Sequence, residues 1–114
     1  MTIDNRLHAR YRVALAAELT LGARTLSAAT QNLSAGGVGV MVSEALVEGT
    51  TIGVCIFLTQ DGVEDPDQEP FDGRATVAWC APTDAGTHLA GLRFAGVDEP
   101  QRLQLQAFLS ALEA

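Results

Sequence analysis

The sequence has no long apolar run, and its first residues lack the hydrophobic segment of a secretion signal. A membrane-spanning helix needs about 20 predominantly apolar residues in a row, and a signal peptide needs an apolar core near its N-terminus. We therefore expect a cytoplasmic protein with no direct membrane insertion. The chain has 114 residues, of which 47% are hydrophobic and 18% charged, and it is predicted to form a single domain over residues 1–114.

Lysine is absent, and all seven basic residues are arginine. The formal net charge of −7 argues against binding to a nucleic acid polymer or to an anionic membrane surface. The charge is uneven, because residues 1–12 carry +2 and the remainder of the chain carries −9. Arginine has a planar fork that suits phosphate groups and stacks on bases. A basic arm on an acidic body suggests a small anionic ligand, although a merely solvated tail would have the same composition.

Cysteine and histidine are scarce, with two residues of each. Cys55 and Cys80 lie inside apolar runs, and two isolated cysteines make no metal-ligand cluster. We predict buried thiols, with a disulfide only if their two strands pair closely. His88 has no partner at ligand spacing and is predicted to be a surface strand residue. We expect neither a metal site nor a cofactor.

Six short segments alternate between apolar and polar residues, which indicates β-strands with one buried face. Turn signals separate them at steady spacing, with neither a βαβ alternation nor an internal repeat. In the fifth segment, Ala75, Val77 and Trp79 are predicted to share one face. The predicted strands cover residues 13–21, 24–31, 38–42, 51–60, 73–81 and 87–95.

The C-terminal residues change to a helical period. Asp98 followed by Gln101 resembles a capping box, and the apolar residues that follow recur at helical spacing. These are Leu105, Phe108, Leu109 and Leu112. The predicted fold is all-β: a six-stranded antiparallel barrel over residues 13–95, closed to remove its edges, with a C-terminal helix over residues 98–113.

The segment 61–72 holds six acidic residues and two prolines. Like charges beside prolines resist packing, so we predict a mobile hairpin loop. A divalent cation is the alternative explanation for such a cluster. The spacing of a calcium-binding loop, with its glycine and terminal glutamate, is missing.

The most informative stretch is Asn-Leu-Ser-Ala-Gly-Gly at residues 32–37, which leads into the third strand. Asn32 and Ser34 present two short hydrogen-bonding side chains. Gly36 and Gly37 permit positive φ angles and a close approach to the backbone. Such a turn, held at the end of a strand, can present donors and acceptors to a ligand, although similar clusters also serve only to reverse a chain.

The arm supplies a second motif, Arg-Leu-His-Ala-Arg at residues 6–10. With RxxxR just before the first strand and [D/N]xSxxG after the second, the sequence resembles the PilZ domain, a bacterial family that binds cyclic di-GMP. The stretch Ala-Gly-Leu-Arg-Phe at residues 90–94, followed by a C-terminal helix, is similar to the family's last strand and tail. The resemblance covers essentially the whole chain.

The resemblance implies a six-stranded barrel and a site for cyclic di-GMP. Arg6 and Arg10 would contact phosphates and guanine faces. Asn32, Ser34 and Gly37 would engage a guanine edge and the sugar-phosphate ring. The implied ligand-binding residues are Arg6, Arg10, Asn32, Ser34, Gly36 and Gly37.

Three functional classes compete. The first is a non-catalytic receptor, monomer or homodimer, whose arm folds over cyclic di-GMP and which signals to an unidentified protein partner. The second is a protein–protein adaptor of the same fold that binds nucleotide weakly or not at all, for which degenerate motifs would be expected, whereas these motifs are intact. An enzyme is disfavoured, because no base can be placed beside Ser34 and no nucleophile elbow, metal cluster or phosphate loop is present.

Overall fold

The computed structural model describes residues 9–59 and 69–113. Within these residues the chain forms six strands and one helix, in the predicted order. The elements are β1 (Ala16–Leu21), β2 (Arg24–Leu33), β3 (Gly37–Val42), β4 (Thr51–Ile56), β5 (Phe71–Pro82), β6 (His88–Gly96) and α1 (Glu99–Glu113).

The strands form a closed antiparallel barrel in the order β1–β2–β3–β6–β5–β4, in which β4 pairs with β1 to complete the ring. Closure lets neighbouring strands satisfy each other's backbone groups around the ring, and it turns one face of each strand inward. The interior is filled by apolar side chains that are almost completely buried, among them Leu19, Leu33, Val38, Val40, Ile56, Ala75 and Val77. The predicted fold class is confirmed.

The first strand starts at Ala16, later than predicted, because a side chain joins the preceding segment to β2. Thr30 is fully buried. Its hydroxyl donates a hydrogen bond to the carbonyl oxygen of Val13 at 2.5 Å and accepts one from the N–H of Leu15 at 2.8 Å. The N–H of Thr30 also donates to the carbonyl oxygen of Leu15 at 2.8 Å, so the backbone and side chain of this one residue together hold residues 13–15 against β2. The strand β4 also ends earlier than predicted.

The acidic segment 61–72 was predicted as a loop throughout, which is wrong for its last two residues. Phe71 and Asp72 begin β5. The Phe71 ring is fully buried, with its centroid 5.1 Å from that of Phe94, and burial of this ring outweighs the charge beside it. Residues 60–68 lie outside the described part of the chain.

The helix begins with the predicted cap, but its glutamine has a different partner. The Oδ1 atom of Asp98 accepts a hydrogen bond from the N–H of Gln101 at 3.1 Å, as an N-cap does. The side-chain oxygen of Gln101 accepts from the N–H of Asp72 at 2.8 Å, which attaches α1 to β5 where β5 extends beyond its pairing with β6. The apolar face of α1 buries Leu105, Phe108 and Leu109. Leu112, predicted on the same face, is 36% exposed.

The two cysteines are free and half-buried, so the prediction of buried thiols holds only in part. Although β4 pairs with β5, Cys55 lies opposite Asp72 and Cys80 lies opposite Ala90. Strand pairing therefore does not bring the two thiols together. His88 is half-buried on β6 rather than fully at the surface, and within the described ranges its Nδ1 atom has no hydrogen-bond partner.

Candidate functional site

The turn between β2 and β3 is held together by one hydroxyl group. Ser34 is 2% exposed, and its Oγ atom accepts hydrogen bonds from the N–H groups of Gly36 and Gly37 at 3.2 and 3.1 Å. The same hydroxyl donates to the carbonyl oxygen of Gly37 at 3.3 Å. Because these bonds use both its donor and its acceptor capacity, Ser34 fixes the shape of the turn.

The second glycine of the turn is required by the neighbouring strand. A Cβ atom on Gly37 would lie 2.3 Å from the carbonyl oxygen of Leu92 on β6, which real side chains do not tolerate. The positive φ angles expected at Gly36 and Gly37 are not found. In the described residues, positive φ angles occur at Gly22, Gly49 and Gly86. The predicted close approach to the backbone is thus present at Gly37, and the group that approaches it is the backbone of β6.

A β-bulge in β2 decides where Asn32 points. Thr30 lies opposite Val40, and after a register shift Asn32 lies opposite Gly39. Since Thr30 faces the core, regular alternation would turn Asn32 inward as well. The extra residue Gln31 reverses the alternation and brings Asn32 to the outer surface. Gly39 leaves room for it, because a Cβ atom there would lie 2.7 Å from the Asn32 Nδ2 atom.

A second register shift, in β5, turns Trp79 outward. Val77 faces the core, Ala78 is the extra residue, and Trp79 lies opposite Gly91. Trp79 is 48% exposed, so the prediction that it shares the buried face of Val77 was wrong. A Cβ atom on Gly91 would lie 2.1, 2.6 and 2.7 Å from the Nε1, Cε2 and Cδ1 atoms of Trp79. Three such similar distances mean that the face of the indole, rather than its edge, covers Gly91.

The N-terminal arm is attached to β2 just before β1. Tyr11 and Leu33 exchange two backbone hydrogen bonds of 2.9 Å in an isolated antiparallel bridge. Both side chains belong to the core or pack against it, so the neighbouring Arg10 and Arg12 point to the outer surface. The Nη1 atom of Arg10 donates a hydrogen bond to the Oδ1 atom of Asn32 at 2.6 Å. One residue from each motif is thereby brought into direct contact.

These groups surround a cavity of about 680 Å³ on the outside of the barrel, a volume typical of small-molecule sites. The arm and β2 form one side with cationic and amide groups, β3 and β6 form the floor, and β5 supplies the indole on the other side. The lining residues are Arg10, Arg12, Gln31, Asn32, Gly39, Val40, Trp79, Leu89 and Ala90.

The six predicted site residues fall into three groups. Arg10 and Asn32 line the cavity together. Arg6 lies outside the described residues. Of the remaining three, Ser34 and Gly36 lie in the adjoining turn, and Gly37 is the first residue of β3.

Residues in the cavity lining, and one that lies under the Trp79 indole, carried signals that could have identified them from the sequence. Gly39 and Gly91 each interrupt a strand, and glycine within a strand marks a bulge or a close approach of another group. The residue opposite such a glycine on the neighbouring strand is then a candidate for the group that approaches it, and the residue opposite Gly91 is Trp79. Arg12 stands two residues after Arg10, and in an extended segment that spacing places both on the same face.

The described residues contain few elements of catalytic chemistry. The hydroxyl of Ser34 has the backbone groups of Gly36 and Gly37 as its partners, and no acidic or basic side chain of the described residues is bonded to it. Within residues 9–59 and 69–113, no three side chains of histidine, cysteine, aspartate or glutamate are grouped so that they could hold a metal ion. No helix among the same residues has the length and apolar character needed to cross a membrane.

Comparisons with known proteins confirm the resemblance seen in the motifs. The family model described as the PilZ domain matches residues 4–111. Several solved structures share the fold, and three of them are compared with this chain. The Bacillus subtilis inhibitor of motility (MotI/DgrA) matches with a TM-score of 0.77 and 17% identity, over 96% of this chain and 52% of that chain. Escherichia coli YcgR in complex with c-di-GMP matches with a TM-score of 0.76 and 22% identity, over 97% of this chain and 47% of that chain. The PilZ domain of Escherichia coli YcgR with c-di-GMP matches with a TM-score of 0.75 and 20% identity, over 96% of this chain and 92% of that chain.

The chain spans about half the length of the first two of these structures and nearly all of the separate PilZ domain. At these sequence identities the likeness establishes the fold. The comparison with curated proteins finds no match.

Proposed function

The chain belongs to the PilZ domain family, and on that basis we propose that it is a receptor for cyclic di-GMP with no catalytic activity of its own. The observation that carries this proposal is the hydrogen bond between Arg10 and Asn32, one residue from each motif, beside a cavity that Trp79 faces from the other side. Two of the solved structures with this fold hold c-di-GMP, which supports the choice of ligand.

The groups around the cavity match the chemistry of this ligand. Cyclic di-GMP has two phosphodiester charges and two guanine bases. Arg10 can donate paired hydrogen bonds to a phosphate or stack on a base, and Asn32 can both donate to and accept from a guanine edge. The exposed indole of Trp79 offers a stacking surface, which contributes about 1–3 kcal/mol per stacked base in other nucleotide sites.

The six residues that the motifs predict are proposed to act in two ways. Arg6, Arg10 and Asn32 contact the ligand. The turn residues Ser34, Gly36 and Gly37 hold the backbone that positions Asn32, because the Ser34 hydroxyl is already bonded within the turn and Gly37 lies against β6. Loss of a turn residue is therefore expected to act on folding first and on binding second.

The contact between Arg10 and Asn32 also supports a conformational response. A guanine edge that binds Asn32 must replace or share the bond from Arg10. We propose that Arg10 reorients on binding while Tyr11, held by two backbone bonds to Leu33, stays in place. The altered surface around Arg10 would then signal to an unidentified protein partner in the cytoplasm, with the receptor acting as a monomer or a homodimer.

The test is a calorimetric titration of the full chain with cyclic di-GMP, with GTP and cyclic GMP as competing ligands. We expect a heat of binding below about 100 μM and a preference for the cyclic dinucleotide. Arg10→Ala should weaken binding about tenfold or more, because a hydrogen bond to a charged group contributes about 1.5–3 kcal/mol. Trp79 is the only tryptophan in the chain, so its fluorescence gives a second readout.

A wild-type chain that shows neither heat nor a fluorescence change at about 100 μM ligand would contradict the proposal, since this limit corresponds to a binding free energy of only about −5.5 kcal/mol. The alternative function, a protein–protein adaptor of the same fold that binds nucleotide weakly or not at all, would then be favoured.

A further inference from the structure

Five residue positions form a transverse row across the outer surface of the barrel. In the strand registers, Asn32 lies opposite Gly39, Gly39 opposite Gly91, and Gly91 opposite Trp79. Extending the backbone bridge that precedes β1 by one residue places Arg12 opposite Asn32. The row therefore has a guanidinium at one end, two glycines in the middle and an indole at the other end. Neighbouring strands, and hence neighbouring positions in the row, lie about 4.8 Å apart.

Arg12 is held in this row by the backbone on both sides of it. Tyr11, just before it, exchanges two hydrogen bonds with Leu33, and the carbonyl oxygen of Val13, just after it, accepts from the hydroxyl of Thr30. The side chain of Arg12 remains exposed and lines the cavity. Its position therefore does not depend on how the preceding part of the arm is arranged.

The two arginines that line the cavity differ in whether the guanidinium group already has a hydrogen-bond partner. Arg10 already donates to Asn32. Within the described ranges, the guanidinium of Arg12 forms no hydrogen bond and no ion pair, and it is accessible from the cavity. An anionic ligand can reach Arg12 without displacing an internal partner, whereas reaching Arg10 requires the bond to Asn32 to be broken or shared.

We infer that Arg12, which belongs to neither sequence motif, binds a phosphate group of the ligand at the end of the row away from Trp79. The inference rests on the proposed function and adds a contact that the motifs do not contain. Guanidinium binds phosphate with paired, charge-assisted hydrogen bonds. Because the backbone of Arg12 is already fixed, less conformational freedom is lost on binding than for a residue on a free arm. A base on Trp79 and a phosphate on Arg12 would align the ligand along the row.

The test compares Arg12→Gln with Arg74→Gln, both titrated with cyclic di-GMP. Arg74 is exposed on β5, does not line the cavity, and undergoes the same change in charge. We expect Arg12→Gln to weaken binding roughly tenfold to a hundredfold, and Arg74→Gln to change it by less than about threefold, since a distant exposed charge is screened. Arg12→Lys should restore only part of the loss, because lysine keeps the charge but lacks the planar fork.

Thermal melts of the three variants are measured alongside, and all should match the wild type because both arginines are exposed. Wild-type affinity in Arg12→Gln would overturn the inference, as would an equal loss in Arg74→Gln, which would reveal only an effect of overall charge. Both outcomes leave the proposed function standing, provided that the wild-type chain binds the ligand. A wild-type chain that does not bind contradicts the proposed function itself, and the inference falls with it.

Discussion

Two faces of the same barrel differ in how their strands pair. On the face that carries the cavity, β2–β3 shifts register between Thr30 and Asn32, and β5–β6 shifts between Val77 and Trp79. On the face formed by β1, β4 and the start of β5, the β1–β4 and β4–β5 pairs keep a single register, and the one shift nearby, between Arg74 and Ala75, lies in the pairing of β5 with β6. On the regular face, side chains alternate between the core and the surface without interruption. On the shifted face, the alternation is broken, and side chains turn outward around two glycines. The comparison shows that local breaks in alternation create the site.

The two faces also differ in charge. The regular face presents Glu18, Cys55 and Asp72 side by side on three neighbouring strands. Partial burial raises the pKa of the Cys55 thiol, and the carboxylates of Asp72 and Glu18 raise it further. This acidic face also carries Arg74, two residues after Asp72, whereas the cavity face carries Arg10 and Arg12. An anionic ligand therefore meets more positive charge on the cavity side of the barrel.

The largest effect on stability is expected from a side chain placed between β3 and β6, the two central strands of the cavity face. Gly37→Ala puts a Cβ atom 2.3 Å from a backbone carbonyl oxygen that cannot rotate away. We expect the free energy of unfolding to fall by about 1–3 kcal/mol or more, measured by chemical denaturation. Gly91→Ala is the matched control, because its new methyl group meets the side chain of Trp79, which can move. Equal stability of the two variants would show that β3 and β6 can separate more easily than the structure indicates.

Removal of the hydroxyl that holds the turn should have the next largest effect. Ser34→Ala leaves the N–H groups of Gly36 and Gly37 without their acceptor. We expect a loss of about 1–3 kcal/mol in the free energy of unfolding and near-normal affinity in the fraction that remains folded. Ser27→Ala is the control, because Ser27 is exposed opposite Glu18 on β1. A stable Ser34→Ala variant with weak binding would instead make Ser34 a direct ligand contact.

Changes to Trp79, or to the glycine beneath its indole ring, should affect ligand binding more than folding. Gly91→Ala would lift the ring of Trp79 from the floor of the cavity, and we expect affinity for cyclic di-GMP to fall about tenfold, at the lower end of what a stacked base contributes. Trp79→Ala should lose at least as much, while Trp79→Phe should keep part of the stacking. Calorimetry is the appropriate measurement, since two of these variants lack the fluorophore. Wild-type affinity in both Gly91→Ala and Trp79→Ala would remove Trp79 from the site.

The smallest expected effect concerns the ionisation of Cys55 on the acidic face. In a Cys80→Ser background, alkylation of Cys55 should accelerate only above the pH at which an ordinary thiol ionises, about 8.5, because the pKa of Cys55 is raised. Since the folded state keeps this proton after the unfolded chain has lost it, the group makes a small contribution that lowers stability as pH rises through that window. Glu18→Gln should shift the alkylation profile to lower pH and leave ligand affinity unchanged. A profile that does not move would exclude Glu18 as a cause of the raised pKa.

The sequence by itself determined the number and order of the strands, the inward face of most of them, the capped C-terminal helix and the turn that follows Asn32. These features depend on neighbours within a few residues, such as the alternation of Leu15, Ala17 and Leu19 or the spacing of Asp98 and Gln101. Local sequence is sufficient there, because the period of the apolar residues sets which side of each strand or helix faces the core. The motif residues Arg10 and Asn32 could be paired in advance only because the chain resembles a known family.

The tertiary structure alone decided which way Asn32 and Trp79 point. One extra residue in each of β2 and β5 reverses the alternation, and its position depends on the register of the partner strand, which no local pattern specifies. For the same reason Phe71 was predicted in a loop although it completes the core, and the resemblance to a capping box did not indicate that the side chain of Gln101 bonds to β5. The cavity consists of side chains that these long-range pairings bring together, so its shape follows from contacts between residues far apart in the chain.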